Sequence, residues 1–228
     1  MSKDGRVWLS HTSIDLLERC PKCFWLSINK KIRQPEGIQS RLAGRFDRVI
    51  KNYFDKYRAK DELPPLISTE LSGVLQNPFQ ETYFYQHNAK YGFYGKLDEC
   101  LVEKGGLYVP IDFKTASSDP REKEILGAYQ HQMDEYVFLL QKNRLKTTGY
   151  GYLIFFYPDM SEVIHNGFPM VVKIQKVEAK PEEVESRINN AISILENDIP
   201  ESNSECPFCN WMQEASTFYK IKVKDGNN

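Results

Sequence analysis

The sequence lacks an apolar run of the roughly 18 residues that a membrane-spanning helix needs. Its most apolar stretch, YGYLIFFYP from Tyr150, has only the length of a strand. The first residues, MSKDGRVWLSHTS, contain no long apolar region of the kind found in a secretory signal, and there is no internal repeat or low-complexity tract. These absences exclude collagen-like, coiled-coil and wholly disordered chains. They predict a cytoplasmic protein with no membrane partner.

Several catalytic motifs are also missing. The chain has no Walker A loop, no GxSxG and no HExxH, and Gly149-Tyr150-Gly151 lacks the third glycine and the following helix of a dinucleotide site. The sequence therefore argues against a P-loop nucleotidase, a serine hydrolase, a zinc peptidase of that type and a dinucleotide-dependent enzyme.

The charge of the chain is balanced overall but unevenly distributed. Thirty Lys and Arg residues face 31 Asp and Glu residues, for a net charge of −1. From Arg19 to Lys60, however, twelve basic residues stand against three acidic ones. Such a basic segment can bind phosphate whatever the total charge, and its arginines Arg41, Arg45 and Arg48 are candidates for contacts with the phosphates of a nucleic acid. The alternative is a solvated helix face.

The order of predicted elements favours a single α/β domain over residues 1–228, with a mixed β-sheet flanked by helices. A helix from Ser10 or Thr12 runs into the first cysteine pair, residues 61–80 are expected to have little regular structure, and residues 222–228 are expected to form a frayed tail. Predicted strands cover 82–87, 91–103, 106–114, 149–157 and 170–178, and predicted helices cover 122–142 and 181–196.

A further helix is predicted from apolar residues that recur at three- and four-residue steps. Asp47 lies at the border of this apolar face, and Lys51 follows one turn later. The face comprises Leu42, Phe46, Val49, Ile50, Tyr53, Phe54 and Tyr57.

Two carboxylates are predicted to meet across a β-hairpin. The turn signal Glu103-Lys104-Gly105-Gly106 separates Asp98 from Asp112, and each of the two is seven residues from Gly105. If the hairpin is symmetric about Gly105, Asp98 pairs with Asp112 with Cβ atoms roughly 4.5–5.5 Å apart. Alternation along the strands places Lys96 and Lys114 on the same face.

Opposed carboxylates destabilise a sheet unless a cation lies between them. Two Asp oxygens with a backbone carbonyl and waters suit Mg²⁺ or Mn²⁺, and Lys114 beside them can stabilise a negative transition state. The pattern is typical of a site that cleaves phosphodiesters. In the alternative interpretation, Lys96 and Lys114 simply neutralise the carboxylates as surface ions.

Four of the five cysteines form two pairs, Cys20-Pro-Lys-Cys23 and Cys206-Pro-Phe-Cys209. Without a secretory signal, two such pairs predict four thiolate ligands of one metal centre rather than disulfides. Four thiolates suit zinc or an iron–sulfur cluster. The remaining Cys100 is expected to be a small core residue.

Asp98 followed by Asp112-Phe113-Lys114 resembles the PD-(D/E)xK motif of the restriction-endonuclease-like superfamily. Gln132-Met133-Asp134-Glu135-Tyr136 is similar to the QxxxY motif of RecB-type exonucleases. The opening helix with its Cys-Pro-Lys-Cys resembles the CRISPR-associated RecB-like exonucleases and the RecB-like domain of AddB nucleases.

The resemblance implies a restriction-endonuclease-like core with a four-cysteine clamp joining residues 20–23 to 206–209. Asp98, Asp112 and the carbonyl of Phe113 would ligate the metal, Lys114 would be catalytic, and Gln132 and Tyr136 would contact DNA and steady the site. In those families a histidine precedes the motif as a further ligand, and here Asp47 stands near that place. The families hold a [4Fe–4S] cluster with one cysteine plus three, whereas this chain has two plus two. We expect an iron–sulfur cluster, with zinc as the alternative.

The resulting expectation is a metal-dependent DNA nuclease that acts on single strands or ends. A link to DNA repair or CRISPR systems and contacts with other DNA-processing proteins would follow from the resemblance. The alternative is an inactive scaffold that keeps the fold to bind nucleic acid or protein. Trp25 and Tyr91 are candidates for base stacking.

Overall fold

The computed structural model describes residues 5–35, 41–120, 126–160, 167 and 169–218, the side chains of Arg41 and residues 126–128 excepted. The chain divides into two compact units. The sheet unit comprises Met1–His11 and Ile38–Ser186, and the cysteine unit comprises Thr12–Gly37 and Arg187–Asn228. No helix in this described part is long and apolar enough to cross a membrane. The predicted frayed tail, residues 222–228, lies outside it.

The larger sheet of the sheet unit has five strands: β2 (Val74–Leu75), β5 (Glu99–Glu103), β6 (Leu107–Thr115), β7 (Tyr150–Pro158) and β8 (Met170–Glu178). They lie in the order β2-β5-β6-β7-β8, and only β6 and β7 run parallel. The mixed sheet is thus confirmed. Strand β7 carries the apolar run of the sequence and is buried on both faces over most of its length, as a strand between covered layers should be.

The smaller sheet has three strands: β1 (Val7–Leu9), β3 (Thr82–Gln86) and β4 (Tyr91–Lys96). Their order is β1-β4-β3, with β1 parallel and β3 antiparallel to β4. Side chains alternate clearly in β3 and β4: Tyr83 and Phe93 are buried, whereas Phe84 points to solvent. One face of this sheet is therefore packed and the other is open.

Helix α3 (Arg41–Arg58) follows the predicted apolar face, though not over its whole length. Ile50 and Phe54 are buried in the core of the larger sheet. Leu42 and Val49, expected on the same face, are exposed by 63% and 54%. The prediction was wrong for these two: Leu42 precedes the core cluster, which begins at Phe46, and Val49 lies about 100° around the helix from Ile50, at the edge of the buried arc.

Helix α4 (Leu126–Lys142) packs against both sheets. The predicted start at 122 falls on residues outside the described ranges. From Met133 to Leu140 every residue is buried, which is expected of a helix enclosed between layers. Gly95 on β4 makes the close approach possible, since a Cβ there would lie 2.6 Å from Leu139. This close packing of α4 on β4 determines where the polar residues of α4 contact the strands.

The predicted strand 91–103 is in fact two strands. β4 ends at Lys96, β5 begins at Glu99, and the two belong to different sheets. Leu97 at the break is fully buried, and its N–H donates to the carbonyl of Glu81. The predicted irregular segment 61–80 contains β2, whose Val74 pairs with Val102 of β5.

The cysteine unit is helical. Its N-terminal part contains most of α1 (His11–Arg19), α2 (Pro21–Trp25) and a π-helical turn (Leu26–Lys30). Its C-terminal part contains most of α5 (Val184–Glu196) and all of α6 (Pro207–Phe218). The Trp25 indole donates to the carbonyl of Asn197, and the Asn29 amide donates to that of Leu195. Thus the two sequence-distant parts of the unit are joined by hydrogen bonds. Helix α6 was not predicted.

Candidate active site

The break between β4 and β5 sets Asp98 beside strand β6. The hairpin register is the predicted one, symmetric about Gly105, with Glu99 opposite Ile111. Asp98 lies one residue beyond this ladder, and its Oδ2 accepts a hydrogen bond of 3.0 Å from the N–H of Phe113. Because Asp98 is free of the ladder, its carboxylate reaches the β6 backbone directly.

Asp112, on β6, is buried and has two differently occupied oxygens. Oδ1 accepts hydrogen bonds from the Gln132 amide at 2.9 Å and from the Tyr136 hydroxyl at 3.2 Å. Oδ2 lies 2.6 Å from the Lys114 ammonium as an ion pair, without the alignment of a hydrogen bond. Burial, with a smaller effect of Asp98, raises the pKa of Asp112 to about 6 despite the Lys114 charge.

Gln132 joins the catalytic lysine candidate to this carboxylate. Its Oε1 accepts from Lys114 Nζ at 2.8 Å, while its Nε2 donates to Asp112 and also meets the Tyr136 hydroxyl at 2.7 Å. The ammonium of Lys114 also lies 4.5 Å from the ring centroid of Tyr129. One amide side chain thus fixes the relative positions of Asp112, Lys114 and Tyr136.

The backbone of Phe113 supplies a third oxygen. In a strand, the N–H and C=O of one residue point to the same edge. Since the N–H of Phe113 bonds Asp98, its carbonyl faces the edge where Asp98 lies. The Phe113 ring packs against Phe54 with centroids 4.8 Å apart, which anchors this part of β6 to helix α3.

Asp47 is linked to the site through Lys51. Lys51 Nζ lies 3.1 Å from Asp47 and 2.8 Å from Asp98 Oδ1. Half-burial tends to lower the pKa of Lys51, but its bonds to Asp98 and Asp47 raise it overall. The helix ion pair that the spacing allowed is therefore present, and it brings Asp47 close to the Asp98 carboxylate.

The sequence was compared with known proteins. The family model described as the PD-(D/E)XK nuclease superfamily matches residues 43–213, three quarters of the chain, and this range contains Asp98, Asp112 and Lys114. The chain belongs to the PD-(D/E)XK nuclease superfamily. No curated protein matches it. Among solved structures, the crystal structure of SSO0001 aligns with a TM-score of 0.46 and 15% identity over 93% of this chain and 87% of the other.

Membership of this nuclease superfamily makes a divalent metal the expected cofactor, and the residues present fit one. Within the described residues the buried Asp112 Oδ2 is paired with the Lys114 ammonium at 2.6 Å but receives no aligned hydrogen bond, whereas buried polar atoms nearly always have one. With Asp98 and the Phe113 carbonyl, it forms the all-oxygen set that Mg²⁺ and Mn²⁺ prefer. Asp47 is available as a further carboxylate beside Lys51.

The remaining candidate residues from the sequence analysis differ in where the structure places them. Lys96, expected on the catalytic face, instead forms an ion pair with Glu81 at 3.3 Å, because β4 belongs to the smaller sheet. Arg45 and Arg48 are exposed on α3. The side chain of Arg41 lies outside the described residues. Tyr136 is only 5% exposed, so its observed role is to bond Asp112 rather than to present a surface.

Sequence reasoning missed a buried ion pair next to the site. The carboxylate of Glu99 takes two hydrogen bonds from Arg58, at 2.6 and 3.1 Å, and Arg58 also donates to the carbonyl of Gln76. Burial raises the pKa of Glu99 although Arg58 opposes the rise. The pair ties the end of α3 to the start of β5, one residue from Asp98. A charged residue adjoining the motif and followed by three apolar residues on the same strand was the available signal.

The four predicted thiols meet within the cysteine unit. The ligand atoms of Cys20, Cys23, Cys206 and Cys209 all lie within 4.8 Å of one another, with Sγ–Sγ distances of 3.4 Å for Cys23–Cys209 and 3.8 Å for both Cys20–Cys209 and Cys23–Cys206. This arrangement can hold a metal. Cys100 belongs to the sheet unit and is fully buried there, as expected.

The thiols differ in acidity because their surroundings differ. Burial alone would raise the pKa of Cys20, but backbone hydrogen bonds at Cys23 and Asn203 lower it to about 7. Burial and the neighbouring sulfurs raise the pKa of Cys209. Four adjacent thiols cannot all ionise without a cation, so a bound metal would have to displace their protons.

Proposed function

We propose that this protein is a divalent-metal-dependent DNA nuclease of the RecB-like type, acting on single strands or DNA ends. The observation that carries the proposal is the convergence of Asp98, Asp112 and Lys114, with one buried Asp112 oxygen that has the Lys114 ammonium beside it and no aligned hydrogen bond. A non-catalytic scaffold has no need of such an oxygen. The Gln132–Tyr136 pair supports the RecB-like assignment, because both side chains bond Asp112.

The residues have distinct parts in this proposal. Asp98, Asp112 and the Phe113 carbonyl would hold Mg²⁺ or Mn²⁺, with Asp47 as a further ligand. When bound, the ion acidifies a water and neutralises charge on a phosphate oxygen. Lys114 contributes a fixed positive charge at the reacting phosphate and a donor that orients the attacking water. Gln132 keeps that ammonium in place through its Oε1.

For the cysteine centre we propose a single zinc ion in place of the expected iron–sulfur cluster. Four sulfurs around one tetrahedral ion with Zn–S bonds of about 2.3 Å stand about 3.8 Å apart. The sulfur separations of 3.4 and 3.8 Å for three of the pairs, with all four sulfurs within 4.8 Å of one another, support the compact arrangement. A four-iron cluster binds each cysteine to a different iron and needs the sulfurs farther apart. One zinc per chain and no absorbance near 400 nm are expected from freshly purified protein.

The catalytic proposal is tested with end-labelled single-stranded oligonucleotides in Mg²⁺ or Mn²⁺. Wild type is compared with Lys114→Ala and with Lys104→Ala, whose lysine is exposed in the hairpin turn. We expect Lys114→Ala to lose about 100-fold or more in cleavage rate and Lys104→Ala to match wild type. Equal rates for wild type and Lys114→Ala, or no cleavage by wild type, would leave the scaffold interpretation standing. Labels at either end also report polarity.

A further inference from the structure

The open face of the smaller sheet carries a row of aromatic rings, here called the aromatic face: Trp8 on β1, Tyr94 on β4 and Phe84 on β3. The ring centroids of Phe84 and Tyr94 are 6.0 Å apart with planes at 23°, and Trp8 meets Phe84 edge-on at 5.1 Å. Phe84 is 52% exposed. A large aromatic side chain this exposed on a regular strand gains little from folding, which points to a ligand.

The Trp8 indole lies next to the backbone of β4 at Gly92. Trp8 pairs with Gly92 in the ladder, and a Cβ at Gly92 would lie 2.5 Å from the indole. The absence of a side chain at 92 makes room for the indole there. The guanidinium of Arg6 lies 5.4 Å from the centroid of the indole ring.

The outward positions of the aromatic face include a basic residue and no carboxylate, as expected of a nucleic-acid-binding site. By strand alternation its outward positions hold Trp8, Thr82, Phe84, Gln86, Gly92, Tyr94 and Lys96. None of these is a carboxylate, and Lys96 and the nearby Arg6 are basic. Glu81, just before β3, is paired with Lys96 at 3.3 Å. Rings flanked by cations are how proteins bind single strands, with bases on the rings and phosphates on the cations.

The strand that carries Tyr94 leads to the active site. Asp98 follows Tyr94 by four residues, which at about 3.3 Å per residue is at most about 13 Å. A chain of two or three nucleotides spans that distance. A single-stranded nucleic acid bound to the aromatic face therefore has a phosphate within reach of the Asp98–Asp112 cluster.

We propose that the aromatic face stacks unpaired bases of the nucleic acid that the active site cleaves, which makes single strands the preferred substrate. This inference rests on the proposed nuclease function for the identity of the ligand. It replaces the sequence-based candidates, because Tyr91 is only 3% exposed and Trp25 belongs to the cysteine unit. A double helix hides its bases in the stack and cannot use these rings.

The test measures binding in EDTA, where no cleavage occurs, by fluorescence anisotropy of labelled dT and U oligomers. Phe84→Ala removes an exposed ring of the aromatic face and leaves the core unchanged. Phe218→Ala, whose ring is 87% exposed on α6, is the matched control. We expect Phe84→Ala to bind dT at least about fivefold more weakly and Phe218→Ala to bind as wild type. The U oligomer shows whether RNA is accepted equally.

An abasic oligomer of the same length separates stacking from phosphate binding. Wild type should bind it more weakly than it binds dT, and Phe84→Ala should distinguish the two oligomers less well than wild type does. Binding of dT should also quench tryptophan emission, and Trp8→Phe should abolish the quenching although Trp25 and Trp211 remain. If Phe84→Ala binds dT like wild type, or if Trp8→Phe retains the quenching, the proposal is overturned and a protein partner becomes the occupant to seek.

These readouts are independent of catalysis. If dT binds through the aromatic face but wild type never cleaves it, the nuclease proposal fails and the stacking site stands. If wild type cleaves while Phe84→Ala binds normally, the stacking site alone fails.

Discussion

The Nε2 of Gln132 donates to Oδ1 of Asp112 across 2.9 Å, so an amide on helix α4 holds the buried carboxylate of strand β6. Helix and strand thus share one hydrogen-bonded site, and the position of Asp112, the proposed metal ligand, depends on a residue that would not itself bind the metal.

Gln132→Ala removes the donor to Asp112 and the acceptor of Lys114 together. We expect Mn²⁺ affinity or the cleavage rate to fall about 10- to 100-fold, the usual effect of losing a residue that orients a ligand. Isothermal titration with Mn²⁺ and a cleavage assay measure the two. Gln141→Ala, on the exposed side of the same helix, should change neither. A normal Mn²⁺ affinity together with a normal rate would show that Asp112 needs no such support.

Lys51 competes with a metal for Asp98, because its ammonium lies 2.8 Å from Oδ1. Lys51→Met should therefore bind Mn²⁺ about two- to fivefold more tightly, the value of a partly exposed ion pair. The metal-free variant should be less stable, since Asp47 and Asp98 lose their shared cation. Calorimetric titration measures the affinity, with Lys56→Met on the same helix as the control. Weaker binding would mean instead that Lys51 holds Asp98 in its ligating position.

The raised pKa of Asp112 predicts how stability depends on pH in EDTA. The group is protonated in both folded and unfolded chains below about pH 4, and its folded pKa of about 6 exceeds the ordinary 3.8. Its contribution to stability is therefore complete below pH 4 and lost as the pH rises through 6. Asp112→Asn avoids the buried charge and should be more stable than wild type at pH 7.5, by about 1–3 kcal/mol.

Thermal melts between pH 4 and 8 check this expectation. The advantage of Asp112→Asn should shrink toward zero as the pH falls to 4, and Asp198→Asn, at an exposed position, should follow wild type throughout. Added Mn²⁺ should raise the melting temperature of wild type but not that of Asp112→Asn. A pH-independent difference would place the origin of the effect in packing rather than charge.

Cys23→Ser removes one thiol of the cysteine cluster. We expect zinc content to fall well below one per chain and the melting temperature to drop, because three ligands hold the ion less tightly and its binding energy stabilises the folded unit. Elemental analysis and thermal melts provide the measurements, with Cys100→Ala as a cysteine outside the cluster. Asp112→Ala should keep its zinc. Full zinc occupancy in Cys23→Ser would contradict the four-thiolate site.

Arg45 and Arg48 are exposed on helix α3, in the most basic part of the sequence. If they contact the phosphates, reversing both to Glu should weaken binding of dT and make it less sensitive to salt. Each lost phosphate contact lowers the slope of log affinity against log salt by about 0.7 for single strands. Binding isotherms at several salt concentrations test this, with Lys104→Glu as the control. An unchanged slope would assign the arginines to a solvated helix face.

The sequence was most informative where local chemistry decides structure. The double glycine turn predicted the register that sets Glu99 opposite Ile111, and spacing alone identified the four cysteines that converge. The interruption at Leu97 was invisible, because alternation continues through it and only the packing of two sheets separates β4 from β5. Lys51 was recognised as a partner of Asp47, but its bond to Asp98 depends on residues distant in sequence.

The aromatic face was not predicted from the sequence, because it too depends on the packing of residues that are distant in sequence. Thirteen phenylalanines and thirteen tyrosines offer many candidates for core and surface alike. Whether a ring is covered depends on which face of its sheet another layer packs against: Tyr83 and Phe84 are adjacent on β3, yet Tyr83 is buried and Phe84 is exposed. Only the placement of helix α4 on one face of the small sheet distinguishes them.

The cysteine cluster has a consequence for how the chain is made. Cys23 and its neighbour Cys206 are 183 residues apart, so at about 5–20 residues per second the first pair emerges from the ribosome roughly 10–40 seconds before the second. A chain broken off after helix α5 would already carry Asp98, Asp112 and Lys114 but only half of the thiols. A metal bound by all four cysteines therefore requires that translation has passed Cys209.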